Sequence, residues 1–307
     1  MSIKGYKAFN KGMICRGKQY EENTTYEENG NKICEAGVMH FCENPFDVLN
    51  YYPLIDEDGN ISDFADVEAI GDIYKGKDKT ATNKLHIGAK LGFKGFIKAC
   101  VDFTIEKTKA ETVKADDVGI SSGDSTQIGS SGYYAQIGSS GNSTQIGSSG
   151  NYAQIGSSGD YAQIGSSGYY AKIGSSGYYA KIGSSGNSTQ IGSSGYYAKI
   201  GSSGDYAQIG SSGNSTQIGS SGNYAQITSK GNNSVVMAAG YNSIAKAKIG
   251  SWITLAEWIR TGKTNDSGKY IWIPKCVKTE CVDGERIKED TFYKLVDGEF
   301  KEVESED

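Results

Sequence analysis

Residues 165–191 read GSSGYYAKIGSSGYYAKIGSSGNSTQI, one nine-residue phrase written three times with changes at a few places. Isoleucine returns at 128, 137, 146, 155, 164, 173, 182, 191, 200, 209, 218 and 227, so units of the form G-S-S-G-x-x-[A/T]-[Q/K]-I follow one another unbroken. A fixed period of this kind marks a stacked repeat architecture before any local structure is considered. The stretch x-[A/T]-[Q/K]-I alternates and ends in a β-branched residue. It predicts a short strand with Ala or Thr and Ile on one face and Gln or Lys on the other. GSSG predicts the turn, its glycines supplying positive φ and its serines local hydrogen bonds. One unit cannot fold alone, because burying an Ile contributes about 1.5–3 kcal/mol against roughly 9–18 kcal/mol for ordering nine residues. Stacking removes the deficit: each strand pairs with its counterparts above and below, and the isoleucines form an internal column. So thin a core favours two units per coil over three, giving a flattened roll of two parallel sheets whose coils rise by about 4.8 Å each.

The composition is unlike that of an ordinary globular domain, with 42 glycines against 3 prolines in 307 residues. Gly and Ser at this level describe a flexible linker in many chains, but a linker has no reason to return an Ile every ninth residue. Residues 117–230 carry four basic and four acidic side chains, while both ends are mildly acidic. No segment has the clustered Lys and Arg that binding a nucleic-acid backbone requires. The start MSIKGYKAFNKG has no apolar run of signal-peptide type, and no 18-residue apolar run occurs, so a cytoplasmic protein is expected, with no membrane partner. Six cysteines in that compartment are expected to be reduced thiols.

Asp follows the turn only at Asp124, Asp160 and Asp205, too irregularly for a calcium roll. Thr at 126, 144, 189 and 216 is too sparse for an ice-binding row. Variation is confined to the two x positions and the pair after them: Tyr in the second slot is always followed by Ala, and Ser by Thr. A surface of Tyr, Asn, Ser and Gly has the chemistry of antibody paratopes. The expected binding residues are therefore Tyr134, Tyr152, Tyr161, Tyr170, Tyr179, Tyr197, Tyr206 and Tyr224, pointing outward with Lys172, Lys181 and Lys199.

The chain divides into an α+β domain (1–91), an amphipathic helix and linker (92–116), the solenoid (117–245) and a C-terminal cap (246–307). Phe93, Phe96, Ile97, Cys100, Val101 and Thr104 share one helical face and predict a lid over the first coil. At the other end the period persists in TSKGNNSVV and MAAGYNSIA, and Trp252 and Trp258 are expected to plug the open core. YIWIPKCVKTEC and the two VDGE turns predict a small antiparallel sheet of about three strands. Cys276 and Cys281, five apart, fall on opposite strand faces.

In the first domain, strands are predicted at IKGYKAF, KICEAGVMHFCEN, ADVEAIGDIYK and NKLHIGAKL, with Asn44 capping a short helix that Pro45 opens. Cys15, Cys34, His40 and Cys42 include no C-x-x-C pair, so no metal or cofactor is expected. If the domain carries chemistry, Arg16, His40, Tyr51 and Glu68 are the candidate catalytic residues, Arg to hold a phosphate and Glu to act as base or stabilise a cation. The stretch GYKAFNKGMICRGKQYEENTTYEENGNKICEAGVMHFCENPFDVLNYYP, with FADVEAIGDI and KLHIGAKL, resembles the DUF7666 family of phage and prophage proteins, whose module is often joined to Gly/Ser-rich repeats. The resemblance implies no activity. The later repeats NNSVVMAAGYNSIAKAKIGS resemble, more distantly, the β-roll of trimeric autotransporter heads.

Three functions are compatible with these residues. The first is a non-enzymatic phage or prophage protein that binds a host or phage protein, or its own copy, and counteracts a host defence factor. The second is a structural or adhesive virion segment, and the third a nucleotide-processing enzyme in the first domain.

Overall fold

The computed structural model describes residues 2–30, 37–56, 60–109 and 118–303. The repeats form a parallel β-solenoid with two units per coil, each strand pairing with the one 18 residues on, as Ile137 does with Ile155 and Ile146 with Ile164. Alternate strands build two sheets, one of ten strands and one of nine. Seven turns carry the nine-stranded sheet from Gln127 to Leu255. The isoleucine column from Ile128 to Ile227 is buried throughout, and the drifted units keep the register through Val236 and Ala245.

Within each unit the strand is [Q/K]-I-G-S, as in Lys181–Ser184, two residues later than the sequence predicts. The reason lies in the corner. Its second x residue is left-handed at every coil, with φ of +57° at Tyr170, +56° at Tyr179 and +56° at Ser188, so the ladder begins only after it. None of the described turn glycines of the repeats has positive φ. The second glycine of GSSG serves a different purpose: a Cβ at Gly168 would stand 1.9 Å from the carbonyl oxygen of Gly150 one coil below. Turn backbone thus rests directly on turn backbone.

A left-handed Tyr costs about 1–2 kcal/mol, and two contacts offset it. Its N–H donates to the first-slot carbonyl of the next coil, as Tyr161 does to Tyr178 at 2.8 Å. Its ring stacks on the next, Tyr161 on Tyr179 at 5.1 Å and Tyr179 on Tyr197 at 4.9 Å, each such pair contributing about 0.5–1.5 kcal/mol. The first-slot Asn and Asp also have structural work: Asn142 Oδ1 accepts from Asp160 N at 2.9 Å, and Asp160 Oδ1 from Tyr178 N at 2.8 Å. Inside, Ala or Thr, Ile and the first Ser of GSSG face the core.

The N-terminal domain has a four-stranded antiparallel sheet, in the order Ile3–Phe9, Asp63–Ala69, Lys84–Leu91, Thr24–Glu27, and a three-stranded one. Of KICEAGVMHFCEN only Met39–Phe41 is a described strand, residues 31–36 lying outside the described residues. ADVEAIGDIYK is broken into Asp63–Ala69 and Ile73–Lys75. The short helix is a 3-10 helix, Pro45–Asn50, with Asn44 Oδ1 accepting from Phe46 N at 3.0 Å.

Helix α1 (Phe93–Lys109) buries Phe93, Phe96, Ile97, Cys100 and Val101, the face expected; the Thr104 side chain lies outside the described residues. It is a flank brace and not a lid, packing across successive strands of the ten-stranded sheet from Val118–Ser121 to Gln190–Ser193. The physical reason is the bare glycine row on that sheet's outer face. Ile97 and Phe93 lie where Cβ atoms of Gly192 and Gly210 would project.

At the far end Trp252 is about half exposed. In the strand Trp252–Thr264 the alternation puts Ile253 and Leu255 inside and Trp252 out, so Ile253, Leu255, Val282, Ile287, Tyr293 and Leu295 fill the core where tryptophans were expected. Trp258 donates its Nε1–H to the Ala239 carbonyl at 2.9 Å. The antiparallel C-terminal strands continue the solenoid sheets: Tyr270–Cys281 pairs with Trp252–Thr264, and the hairpin Tyr293–Val296/Glu299–Glu302 follows Ile244–Lys246.

Two measurements test this packing. Gly168→Ala should lower stability by about 3 kcal/mol, the top of the overpacking range. Gly165→Ala, three residues away and facing open space, should stay within about 0.5 kcal/mol; equal urea midpoints for the two would refute the turn-on-turn stack. Inward serine hydroxyls from Ser148 to Ser229, among them Ser175 Oγ, are buried without a hydrogen-bond partner among the described residues. Because an unsatisfied buried hydroxyl is a liability, Ser175→Ala should hold or raise the Tm, and a fall of several degrees would show that the hydroxyl is bonded.

Candidate functional site

Two places can take a partner. The first is the outer surface of the solenoid. Both sheets carry the same row of outward glycines between outward Gln or Lys, yet their fates differ. On the ten-stranded sheet the row is covered by α1 and Leu54. There Lys172 is half-buried, its Nζ donating to Phe46 O at 3.0 Å and Asn50 Oδ1 at 2.7 Å, and Gln154 bonds both Asn44 and Asp47. Burial pulls the Lys172 pKa down and pushes the Asp47 pKa up.

The nine-stranded sheet leaves its row bare. A trough of about 1200 Å³ runs along it, floored by Gly129, Gly147, Gly165, Gly183, Gly201 and Gly219. Gln127, Gln145, Gln163, Lys181, Lys199 and Gln217 line it, and no carboxylate does. The corner tyrosines stand on both sides. Tyr161, Tyr179 and Tyr197 precede strands of this sheet by two residues, while Tyr134, Tyr152, Tyr170, Tyr206 and Tyr224 form the column at the opposite corner. The expected binding residues are therefore not one surface. They divide between two edges, and Lys172 is spent on holding the N-terminal domain.

The second place is a cavity of about 410 Å³ within residues 6–79. The hairpin Ile14–Cys15/Lys18–Gln19 turns through Arg16 and Gly17 with φ of +50° and +76°, the primed geometry of two-residue hairpins, and sets Arg16 at its tip. Lys7, on the same strand face as Phe9, is buried. Its Nζ donates to His40 O at 2.9 Å and lies 5.5 Å from the Phe9 and Tyr20 ring centres. Tyr52 donates to Cys15 Sγ at 3.1 Å, Lys18 pairs with Glu28, and Tyr51 donates to Asp78 at 2.6 Å. Burial lowers the Lys7 pKa and raises those of Tyr20, Tyr51 and Tyr52. His40 is held down to about 4, first by burial and then by Lys79, Lys7 and Arg16.

Residues 3–99 match the family described as a domain of unknown function, DUF7666. No curated protein and no solved structure matches the chain. The cavity lies wholly within the DUF7666 domain. Of the catalytic candidates, Arg16, His40 and Tyr51 line it, while Glu68, on the strand beside Ile3–Phe9, does not and pairs opposite Lys4 and His86. Lys7 and Lys79 complete the cavity and were not singled out by sequence. Lys7 had a signal, a cation on the side of IKGYKAF that carries Gly5 and Phe9; Lys79, in a polar turn, had none. Among the described residues no group of His, Cys, Asp or Glu is arranged to hold a metal ion, and Cys34 lies outside them. No helix of the described residues is long and apolar enough to cross a membrane.

A depressed histidine pKa has a defined stability signature. The unfolded chain protonates His40 below its ordinary 6.5, whereas the folded one resists to about 4, so stability falls as pH drops through that window. Wild type should lose more stability than His40→Asn between pH 7 and 4.5, read as urea midpoints. Parallel losses would mean the ring is freely solvated.

Proposed function

We propose that the chain is a non-enzymatic binding protein whose bare trough receives an amphipathic helix from a protein partner. The observation that carries this reading is the molecule's own use of the equivalent trough. The ten-stranded sheet offers the same glycine row, and α1 fills it with Phe93 and Ile97. A helix spaced in this way matches the helix-in-groove mode, with anchors at i and i+4. Lys181 and Lys199, exposed midway along the trough and with no carboxylate in its lining, favour an acidic flank on the partner helix. The rigid stack supplies a preformed surface, which lowers the ordering cost of binding. A phage or prophage setting, with a protein of the host bacterium, including a defence factor, as partner, rests on the resemblance of the N-terminal module.

The test fills the trough. Gly165→Leu/Gly183→Leu/Gly201→Leu places side chains where a Cβ meets nothing closer than 3.9 Å, so the solenoid should still form, as far-UV circular dichroism would check. Intact protein should retain a bacterial protein that the filled variant loses. Cross-links from Lys181 and Lys199 should map to a helix of that protein. Equal retention by both forms refutes the reading. A dimer of the intact protein that the filled variant cannot form would make the occupant a second copy and overturn the partner claim.

A further inference from the structure

We propose that the cavity of the DUF7666 domain is a binding site for a nucleotide-class ligand, a phosphate-bearing anion that also carries a flat aromatic ring. Among the described residues, Lys7, Arg16, Lys18 and Lys79 line the cavity against one carboxylate, Glu28, and that carboxylate is already paired with Lys18. Lys7 points its ammonium at the His40 carbonyl from a buried strand position. Arg16 and Lys79 form no ion pair among the described residues, although every other cation of the cavity is engaged by a carboxylate or a carbonyl. Two rim cations without a carboxylate partner, Lys79 standing over the Tyr51 ring, together with the buried Lys7 leave the cavity an excess of positive charge that an anion would offset. His40 reports the same imbalance, since the three cations help keep its ring unprotonated.

The walls supply the rest of the ligand. Tyr6, Tyr20, Phe41, Tyr51 and Tyr52 line the same space, and Lys79 already stands 4.9 Å from the Tyr51 ring centre. Aromatic walls take a planar ring by stacking, and a planar guanidinium matches phosphate oxygens in pairs. A volume of about 410 Å³ falls in the range of ~300–1,000 Å³ typical of small-molecule sites, toward the mononucleotide end. The primed turn of its hairpin sets Arg16 at the rim of the cavity.

The site and the trough are separate, so each can fail without the other. Calorimetric titration of the full chain with AMP, ATP, adenosine and inorganic phosphate distinguishes the contributions. AMP or ATP should bind with a Kd below 1 mM, adenosine at least tenfold more weakly, and the affinity should fall as NaCl rises from 50 to 300 mM. Arg16→Ala and Lys79→Ala, both at accessible positions, should each weaken binding at least tenfold while leaving the Tm of the free protein near that of wild type. Glu68→Gln, outside the cavity, should leave the affinity unchanged. Tighter binding of inorganic phosphate than of AMP would reduce the site to a simple anion hole and overturn the nucleotide assignment. So would the absence of both heat and Tm shift with all phosphate probes at 5 mM, or AMP affinity indifferent to Arg16→Ala and Lys79→Ala.

Discussion

The contact of one turn backbone with the next governs this molecule. Where Gly150 presents its carbonyl, Gly168 must present no side chain, and the same relation recurs at each coil down both edges of the roll. That contact fixes the rise, and the rise sets everything that stacks. Tyrosine rings are held about 5 Å apart, first-slot carboxamides and carboxylates reach the backbone one coil on, and the isoleucines close into a continuous column. Left-handed tyrosine would be a defect in an isolated turn. Here the neighbouring coil offers each one a carbonyl and, in the runs of tyrosine, another ring.

Identical repeats make two equivalent faces, and what lies beyond the repeats makes them different. The helix after the DUF7666 domain could have closed the end of the stack, where unpaired strand edges are a hazard. It lies along the side instead, because the glycine row there is a ready groove for Phe93 and Ile97. Lys172 and Gln154 anchor the 3-10 helix beside it. The far ends of the two sheets are left to antiparallel hairpins, which continue the ladder while reversing its direction.

Much of this was legible in the sequence and some was not, for specific reasons. The Ile spacing implies a solenoid, and the thinness of a core made of Ile and Ala or Thr implies two units per coil. The helical face from Phe93 to Val101 and the cap at Asn44 follow from spacing and residue type alone. The strand boundary within the unit did not follow, because nothing in Tyr signals a left-handed backbone; only stacking against another coil makes it tolerable. The outward position of Trp252 is not legible because WITL alternates equally well in either sense, and side-chain size favours the wrong one. In the DUF7666 domain, Arg16, His40 and Tyr51 meet around one cavity while Glu68 does not, since a one-residue step along Asp63–Ala69 changes which face a side chain meets.

Because two units make one coil, neighbouring repeats that look alike in sequence lie on opposite sides of the protein. Gaining or losing one unit would turn every later residue through half a coil. Lysines now beneath the DUF7666 domain would change places with those along the bare trough, and the terminal hairpins would each meet the wrong sheet. The array can lengthen or shorten by recombination between its near-identical units, but only in pairs. Its evolutionary letter is the 18-residue coil, although the nine-residue unit is what the sequence displays.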